Sequence, residues 1–203
     1  LADLGVSSMQ IDNPDRGFTF KREGPLDLRL NPSEGISVAE RLTTVSEAEL
    51  EGMLIENADE PYAAIISHAI MSQMEQGFVI STTTQLRQII HASLQHLPAS
   101  KREEEIKKSC QRCFQALRID VNEEFEALDA FLEKLPTVLA SGGRVAILSF
   151  HSGEDRLVKK SFQRLFREGI YREVSDGPIR PSAEECYTNS RAKCAKLRWA
   201  IKA

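Results

Sequence analysis

The sequence lacks long apolar runs, internal repeats and low-complexity segments, and each absence excludes a class of protein. No run approaches the roughly 18–20 apolar residues that a membrane-spanning helix needs. No period of about 20–50 residues recurs, which argues against a solenoid. With 41% hydrophobic and 28% charged residues in a chain of 203, the composition is that of a globular protein of one or two domains.

Cysteines are few, and their spacing does not suit a metal or disulfide site. Cys110 and Cys113 form a lone C-x-x-C, whereas Cys186 and Cys194 are eight residues apart. A zinc site would need a second closely spaced pair, and a thioredoxin-like motif would follow a strand rather than lie in a charged helical stretch. We therefore predict four reduced thiols and no bound metal.

Charge is unevenly distributed along the chain, although the net charge is only −4. Residues 156–203 carry a net charge of +7 and residues 1–155 a net charge of −11. The last thirteen residues contain five basic residues and no acidic one. A basic end on an acidic body is typical of a surface that meets phosphate groups, but an ordinary solvated surface is the commoner explanation of such charge.

Hydrophobic patterns predict strands at both ends of the chain with helices between them. Residues 1–6 are typical of the end of a buried parallel strand, 7–32 of a long loop, and 36–118 of helices. Asn122 and Ser152 are predicted to cap two later helices, on either side of a strand at 144–150 that is buried on both faces. The alternation from Leu197 to Lys202 predicts a half-buried strand at or beside a sheet edge. The following domain boundaries result: a sheet domain formed by 1–32 and 111–203, and an inserted helical domain at 33–110. Because the chain begins with Leu1 at the end of a strand, we expect it to be a piece of a longer protein.

Polar side chains follow two of the predicted strands. Asp3 stands at the end of the first, where it could bind a ligand or cap a helix. His151, Ser152, Asp155 and Arg156 follow the strand at 144–150. In an open parallel sheet, ligands bind outside the carboxyl ends of the strands. A hydrolase is disfavoured because a catalytic triad gathers its members from separated segments and no G-x-S-x-G elbow is present. His68, His91 and His96 are predicted to be surface or packing residues on helices.

Five stretches in order along the chain resemble the ribosomal small-subunit RNA cytosine-N4 methyltransferases of the RsmH (MraW) family. They are DLGVSSMQIDNPDRGFTFKREGPLDLRLNP (3–32), FQALRIDVNEE (114–124), SGGRVAILSFHSGEDRLVK (141–159), PIRPSAEE (178–185) and NSRAKCAKLR (189–198). The resemblance implies a partial α/β, Rossmann-like, S-adenosylmethionine-dependent methyltransferase sheet with an inserted all-helical domain. It also implies ribosomal RNA as the partner, and a bacterial cytoplasm or, in a eukaryote, a plastid or mitochondrion.

The resemblance also implies roles for particular residues. Asp3 and Gln10 would contact the methyl donor. For the chemistry, we expect Asp3 or a nearby carbonyl to accept a hydrogen bond from the cytosine amine, Phe18 or Phe150 to stack on the base, and His151 to orient the base or accept a proton. The remaining candidate substrate and RNA contacts are Arg112, Arg118, Ser152, Arg156, Arg191, Lys196 and Arg198.

The sequence departs from the family pattern in three places. The family's glycine-rich loop and ribose-binding acid would lie upstream of Leu1, so we expect this chain alone to bind the donor weakly and to be inactive. The family's H-P-A-T-R-T is represented at 108–113 by K-S-C-Q-R-C, which keeps only Arg112, and its H-S-L-E-D-R has Gly153 in place of Leu. The alternative from another class is a non-catalytic module that binds RNA or the ribosome.

Overall fold

The computed structural model describes all residues, 1–203, as a mixed α/β chain. The four strands are β1 Ala2–Asp3, β2 Arg144–Ser149, β3 Tyr171–Val174 and β4 Lys196–Lys202. The nine α-helices are α1 Ser8–Asp12, α2 Val38–Leu42, α3 Glu47–Ala58, α4 Ala63–Glu75, α5 Thr83–Ser93, α6 Ala99–Val121, α7 Glu124–Val138, α8 Ser152–Arg167 and α9 Ala183–Thr188. None of these helices has the length and apolar character that crossing a membrane requires.

Contacts divide the chain into two compact units. Unit one comprises Leu1–Gly5 and Glu124–Ala203 and holds all four strands; unit two comprises Val6–Glu123 and holds α1–α6. The predicted boundaries at 32/33 and 110/111 fall inside unit two. The division into a sheet domain and an inserted helical domain at these boundaries stays a prediction.

Unit one is built on a four-stranded sheet in the order β1-β2-β4-β3. β1 runs parallel to β2, with Ala2 opposite Ile147 and Asp3 opposite Leu148, whereas β4 runs antiparallel to both β2 and β3. Helices α7 and α8 cover the sheet with apolar side chains. Their shared core comprises Leu128, Leu132, Leu135, Val145, Ile147, Val158, Phe162, Leu165, Tyr171 and Ala200.

Unit two has a core of its own, formed mainly by the apolar faces of α2–α6. The longest helix, α6, begins after Pro98, which breaks the preceding helical pattern as predicted. Asn122 closes this helix rather than opening the next one. Its amide Nδ2 donates to the carbonyls of Arg118 and Leu28, both at 2.8 Å, and its Oδ1 accepts from the backbone N–H of Leu30 at 2.6 Å.

The structure corrects several expectations drawn from the sequence. Asn122 caps the C-terminus of α6, and His151 rather than Ser152 is the N-cap of α8. The predicted loop at 7–32 contains helix α1 and a short 3₁₀ turn, Pro14–Arg16. The strand at the start of the chain comprises only the half-buried Ala2 and the exposed Asp3, where a buried strand was predicted for residues 1–6.

Strands β2 and β4 are confirmed, but the burial of their side chains differs from the prediction. On β2 one face is fully buried and the other is half-buried. On β4, which lies beside the edge strand β3, Arg198 and Ala200 are buried while Leu197 and Trp199 are half-buried. Ile201 is buried as well. Burial on β4 therefore does not follow the alternation of apolar and polar residues, because the ion pair with Asp155 places Arg198 inside.

Candidate active site

The carboxyl ends of β1 and β2 lie side by side in unit one, as expected for a parallel pair. Leu4 donates its backbone N–H to the carbonyl of Leu148 at 3.0 Å, which continues the pairing to the end of β1. Gly5 follows with φ at +81°, and a Cβ at this position would be 3.8 Å from both Glu154 Oε1 and the Phe150 ring. This strand-end region, where α/β sheets bind ligands, thus brings the chain after Asp3 next to the turn after β2.

Asp3 itself is exposed in β1. The alternative that it caps a helix does not apply, because Ser7 is the N-cap of α1 and accepts the backbone N–H of Gln10. An exposed carboxylate at a strand end can accept hydrogen bonds from a ligand without first breaking a bond within the protein.

The turn after β2 is organised by Glu154, a residue that the sequence pattern did not single out. Glu154 is buried, and its Oε2 accepts the backbone N–H of Phe150 at 2.9 Å. Its Oε1 lies 3.2 Å from Nε2 of His151, and both side chains are at most 11% exposed. Nothing in the local pattern distinguishes Glu154 from an ordinary acid of a first helical turn, which explains why it was missed.

The imidazole ring of His151 makes a hydrogen bond and a ring contact that fix its position. Nδ1 accepts the backbone N–H of Glu154 at 3.4 Å, which caps α8, and the Phe125 ring lies 5.9 Å away between centroids. A neutral imidazole whose Nδ1 accepts a hydrogen bond carries its proton on Nε2. That atom is buried and forms no well-directed hydrogen bond, so its 3.2 Å contact with Glu154 is electrostatic. In this tautomer His151 has no free lone pair with which to accept a proton.

One group of side chains in unit one has the composition of a cation site. Ligand atoms of Glu124, His151 and Glu154 all lie within 4.8 Å of one another. A metal bound at Nε2 would require the proton on Nδ1, but Nδ1 accepts the capping N–H. The hydrogen bonding of His151 therefore disfavours a metal at this position.

Asp155 lies beside this cluster and pairs with two cations from β4. Arg198 donates to its two carboxylate oxygens at 2.7 and 3.3 Å, and Lys196 Nζ is 3.6 Å away. Burial opposes ionisation of this carboxyl, but the hydrogen bond from Arg198 and the charges of Arg198 and Lys196 outweigh it and lower the pKa of Asp155. The Arg198 side chain is only 7% exposed, a placement that favours a structural role over contact with RNA.

The other sequence-selected residues of unit one are more accessible. Phe150 is half-buried at the start of the turn, and Ser152, Arg156 and Arg191 are exposed. Ser152 is the first residue of α8, and Arg191 lies in a 3₁₀ segment, Ser190–Cys194, just before β4. Because β4 starts where β2 ends, these side chains belong to elements that meet near the strand-end region.

Gln10 and Phe18 lie in the N-terminal part of unit two. Gln10 closes a capping box on α1, with its Oε1 accepting the N–H of Ser7 at 2.9 Å, so the donor end of its amide, Nε2, remains for a ligand. The guanidinium of Arg16 lies 5.7 Å from the centre of the half-buried Phe18 ring and donates to the carbonyls of Arg29 and Leu30. This segment holds an aromatic ring in place, as base stacking would require.

Arg112 and Arg118 are both half-buried on α6. Arg112 Nη1 is 3.7 Å from Oε2 of Glu60, whose side chain is fully buried and whose Oε1 accepts from Ser109 and from the N–H of Tyr62. The charge of Arg112 is thus directed towards a buried acid inside unit two.

Comparison with known proteins identifies the family of the chain. The fold is a partial Rossmann-like methyltransferase fold, with a small sheet and many helices. The family model described as the MraW methylase family matches residues 1–203, and the chain belongs to that family. The match confirms the resemblance that the five sequence stretches carry.

The similar proteins described below are all named as ribosomal RNA small subunit methyltransferases. The chain is 73% identical to ribosomal RNA small subunit methyltransferase H 2 of Alkaliphilus metalliredigens, covering 100% of the chain and 58% of that protein. It is 68% identical to methyltransferase H 1 of Lachnoclostridium phytofermentans, covering 56% of that protein. It is 40% identical to methyltransferase H of Acaryochloris marina, covering 98% of the chain and 64% of that protein. The chain thus spans less than two thirds of the length of these relatives.

Proposed function

We propose that the protein containing this chain methylates the N4 amine of a cytosine in small-subunit ribosomal RNA in the bacterial cytoplasm, with S-adenosylmethionine as the donor. The observation that carries this proposal is the strand-end region of unit one, where the exposed Asp3 and the His151–Glu154 turn follow two neighbouring parallel strands. The family and the names of the bacterial relatives support the reaction class.

The donor, when bound, supplies an electrophilic methyl group on a sulfonium sulfur. The strand-end region has features that fit such a group: the exposed carboxylate of Asp3 and the open backbone at Gly5, whose missing side chain leaves space beside Phe150. In unit two, the Gln10 amide retains hydrogen-bond donors. The family resemblance makes Asp3 in unit one and Gln10 in unit two our candidates for donor contacts.

The exocyclic nitrogen of cytosine is a poor nucleophile because its lone pair is conjugated with the ring. A carboxylate that accepts a hydrogen bond from this amine would localise the lone pair and take up the proton released when the N–C bond replaces the methyl–sulfur bond of the donor. We assign this role to Asp3. Alignment of the nitrogen with the methyl group is a positioning effect, and such effects lower a barrier by several kcal/mol; Phe150 and Phe18 are the candidate stacking side chains.

We assign His151 a positioning role in place of proton acceptance, because its Nδ1 is occupied by the helix cap and its buried Nε2 faces the carboxylate of Glu154. Its ring, fixed by Glu154 and Phe125, sets the course of the backbone between β2 and α8. Because a displacement of about 1 Å can cost about 10²-fold in rate, this role is compatible with a large effect on methyl transfer.

The experiment replaces His151 by Asn in the complete protein. Asn is a good N-cap, so the variant should fold with nearly unchanged stability, whereas methyl transfer to small-subunit RNA should fall about 10²-fold. His68→Asn, at an exposed histidine of α4, is the matched control and should transfer normally. Full activity of His151→Asn would contradict the positioning role.

A second variant separates the enzyme from the non-catalytic alternative. Asp3→Asn should weaken both donor binding, measured by calorimetry, and methyl transfer. If the complete protein with its native residues bound ribosomal RNA but neither bound the donor nor transferred a methyl group, the protein would be an RNA-binding module. The net charge of +7 in residues 156–203 is the feature that favours this alternative.

A further inference from the structure

Helix α8 carries a row of four basic residues on one face. Arg156, Lys160, Arg164 and Arg167 follow one another at spacings of four, four and three residues, which aligns them along an α-helix. All four are exposed. The buried residues of the helix, which lie on its opposite face, include Val158, Phe162 and Leu165. We call the four cations the basic stripe.

The basic stripe contains no acidic residue within its length. None occurs between Arg156 and Arg167. The two acids of α8, Glu154 and Asp155, precede the stripe and contact the strand-end turn and Arg198 respectively. At 1.5 Å per residue, the stripe is about 17 Å long, with neighbouring cations about 6 Å apart along the axis.

Stabilisation by the helix dipole explains only two of the four cations. Arg164 and Arg167 lie in the last turn, where the helix dipole favours cations. Arg156 and Lys160 lie in the first half of the helix, where the dipole gives no such benefit. Mutual repulsion of the aligned cations also opposes folding. A bound polyanion would relieve this repulsion.

We propose that the basic stripe binds the phosphate backbone of the RNA strand that flanks the methylated base. This inference rests on the proposed function for its choice of ligand. A regular row of like charges suits a polymer with one charge on every unit, whereas an acidic protein surface interleaves both signs. Because α8 begins directly after His151, the stripe leads away from the strand-end region, where the target base would lie.

The test measures binding of a short single-stranded oligoribonucleotide across a salt series, without methyl donor. The variant combines Lys160→Gln, Arg164→Gln and Arg167→Gln and leaves Arg156 intact. The control combines Lys21→Gln, Lys101→Gln and Lys107→Gln, three exposed cations of unit two with the same change in net charge. Circular dichroism verifies that both variants fold.

Loss of three phosphate contacts should reduce the slope of log affinity against log salt by about 2, and lower affinity about tenfold or more at low salt. The control should change the slope by much less. A charge-preserving variant, Lys160→Arg with Arg164→Lys and Arg167→Lys, should keep the native slope. Equal effects of the variant and the control, or an unchanged slope in the variant, would overturn the proposal.

Two further results distinguish a failure of the stripe proposal from a failure of the proposed reaction. If polyglutamate competed as well as RNA of equal charge, the stripe would bind polyanions without selecting a phosphate backbone, and the RNA assignment would be wrong. If methyl transfer could not be detected while the slope still fell in the variant, the proposed reaction would fail and the stripe would stand as an RNA-binding surface.

Discussion

The ring of Phe125 fills the space that a side chain at Gly153 would need beside His151. A Cβ added to Gly153 would lie 2.5 Å from Cζ of Phe125 and 3.2 Å from Nδ1 of His151. The Leu that the family resemblance implies at position 153 therefore could not fit here unless the ring of Phe125 moved. The phenylalanine fills volume that a larger side chain at 153 would need.

The first prediction tests this fit. In an unstrained helical position, Gly→Ala stabilises by up to about 1 kcal/mol, but Gly153→Ala should destabilise by about 1–2 kcal/mol because it overpacks the site. In a Phe125→Leu background the same substitution should be neutral or stabilising. Urea unfolding of the four proteins of this cycle gives the coupling energy, and a zero coupling would refute the fit.

The second prediction concerns Asp155. Asp155→Asn breaks the pair with Arg198 and leaves a buried cation, so we expect a loss of about 3 kcal/mol in the free energy of unfolding. The folded-state pKa of Asp155 is lowered by Arg198 and Lys196, so the ionised pair contributes fully above the unfolded-state pKa of about 4. The contribution is lost as the pH falls through the lowered pKa.

The measurement for Asp155 is chemical denaturation of the native protein and the variant from neutral to acidic pH. The stability difference between them should be constant at neutral pH and shrink on acidification. Asp176→Asn, at an exposed residue after β3, is the control and should change stability little at any pH. A stability difference that grows on acidification would mean that the pKa of Asp155 is raised rather than lowered by folding.

The third prediction separates the cysteines by reactivity. Burial raises the pKa of the Cys110 thiol to about 11 and that of Cys113 well above its usual range. Because the thiolate is the nucleophile, neither should react with iodoacetamide at pH 8 in the folded protein. The exposed Cys194 and half-buried Cys186 should be alkylated first, as mass spectrometry of digests will show. Rapid native alkylation of Cys110 would disprove their burial.

The fourth prediction uses the three hydrogen bonds of the Asn122 side chain. Asn122→Ala removes them all and should cost about 2 kcal/mol. Asn122→Asp should cost more, about 3 kcal/mol, because it places a carboxylate oxygen against the carbonyls of Leu28 and Arg118. Both carbonyls are now 2.8 Å from the amide nitrogen.

Asn31 provides the control for this substitution. Its Oδ1 only accepts, from the N–H of Ser33 at 3.1 Å, so Asn31→Asp retains the interaction and should be nearly neutral. Thermal unfolding of the three variants ranks them. If Asn122→Asp were as stable as the native protein, the assigned orientation of its amide would be incorrect.

The strands and most helices followed from the sequence because apolar periodicity and turn residues determine them locally. The contacts of individual side chains with residues far away in the sequence could not be predicted in this way. Asn122 looked like an N-cap because Asn favours such positions, yet its partners include Leu28 and Leu30, more than ninety residues away. Arg198 looked exposed because alternation along β4 suggested it, and only the fold reveals Asp155 beside it.

The strand-end region was predictable in outline and not in detail. Polar residues after predicted strands located Asp3 and His151, since parallel strands place their carboxyl ends together. The role of Glu154 depends on the backbone N–H of Phe150 and on the ring of His151, and no spacing rule identifies such contacts. The tautomer of His151 likewise follows from a capping bond that the sequence pattern had assigned to Ser152.

The pairing of β2 with β4 has a consequence for the newly synthesised chain. Residues 144–150 form an apolar segment with a charge only at Arg144, the kind of strand that aggregates when its edge is open. The strand that covers this edge, with Lys196, Arg198 and Lys202, follows about fifty residues later. Until β4 has left the ribosome, this edge of β2 is open to pairing with another chain, so we expect truncation before Lys196 to make the sheet prone to self-association.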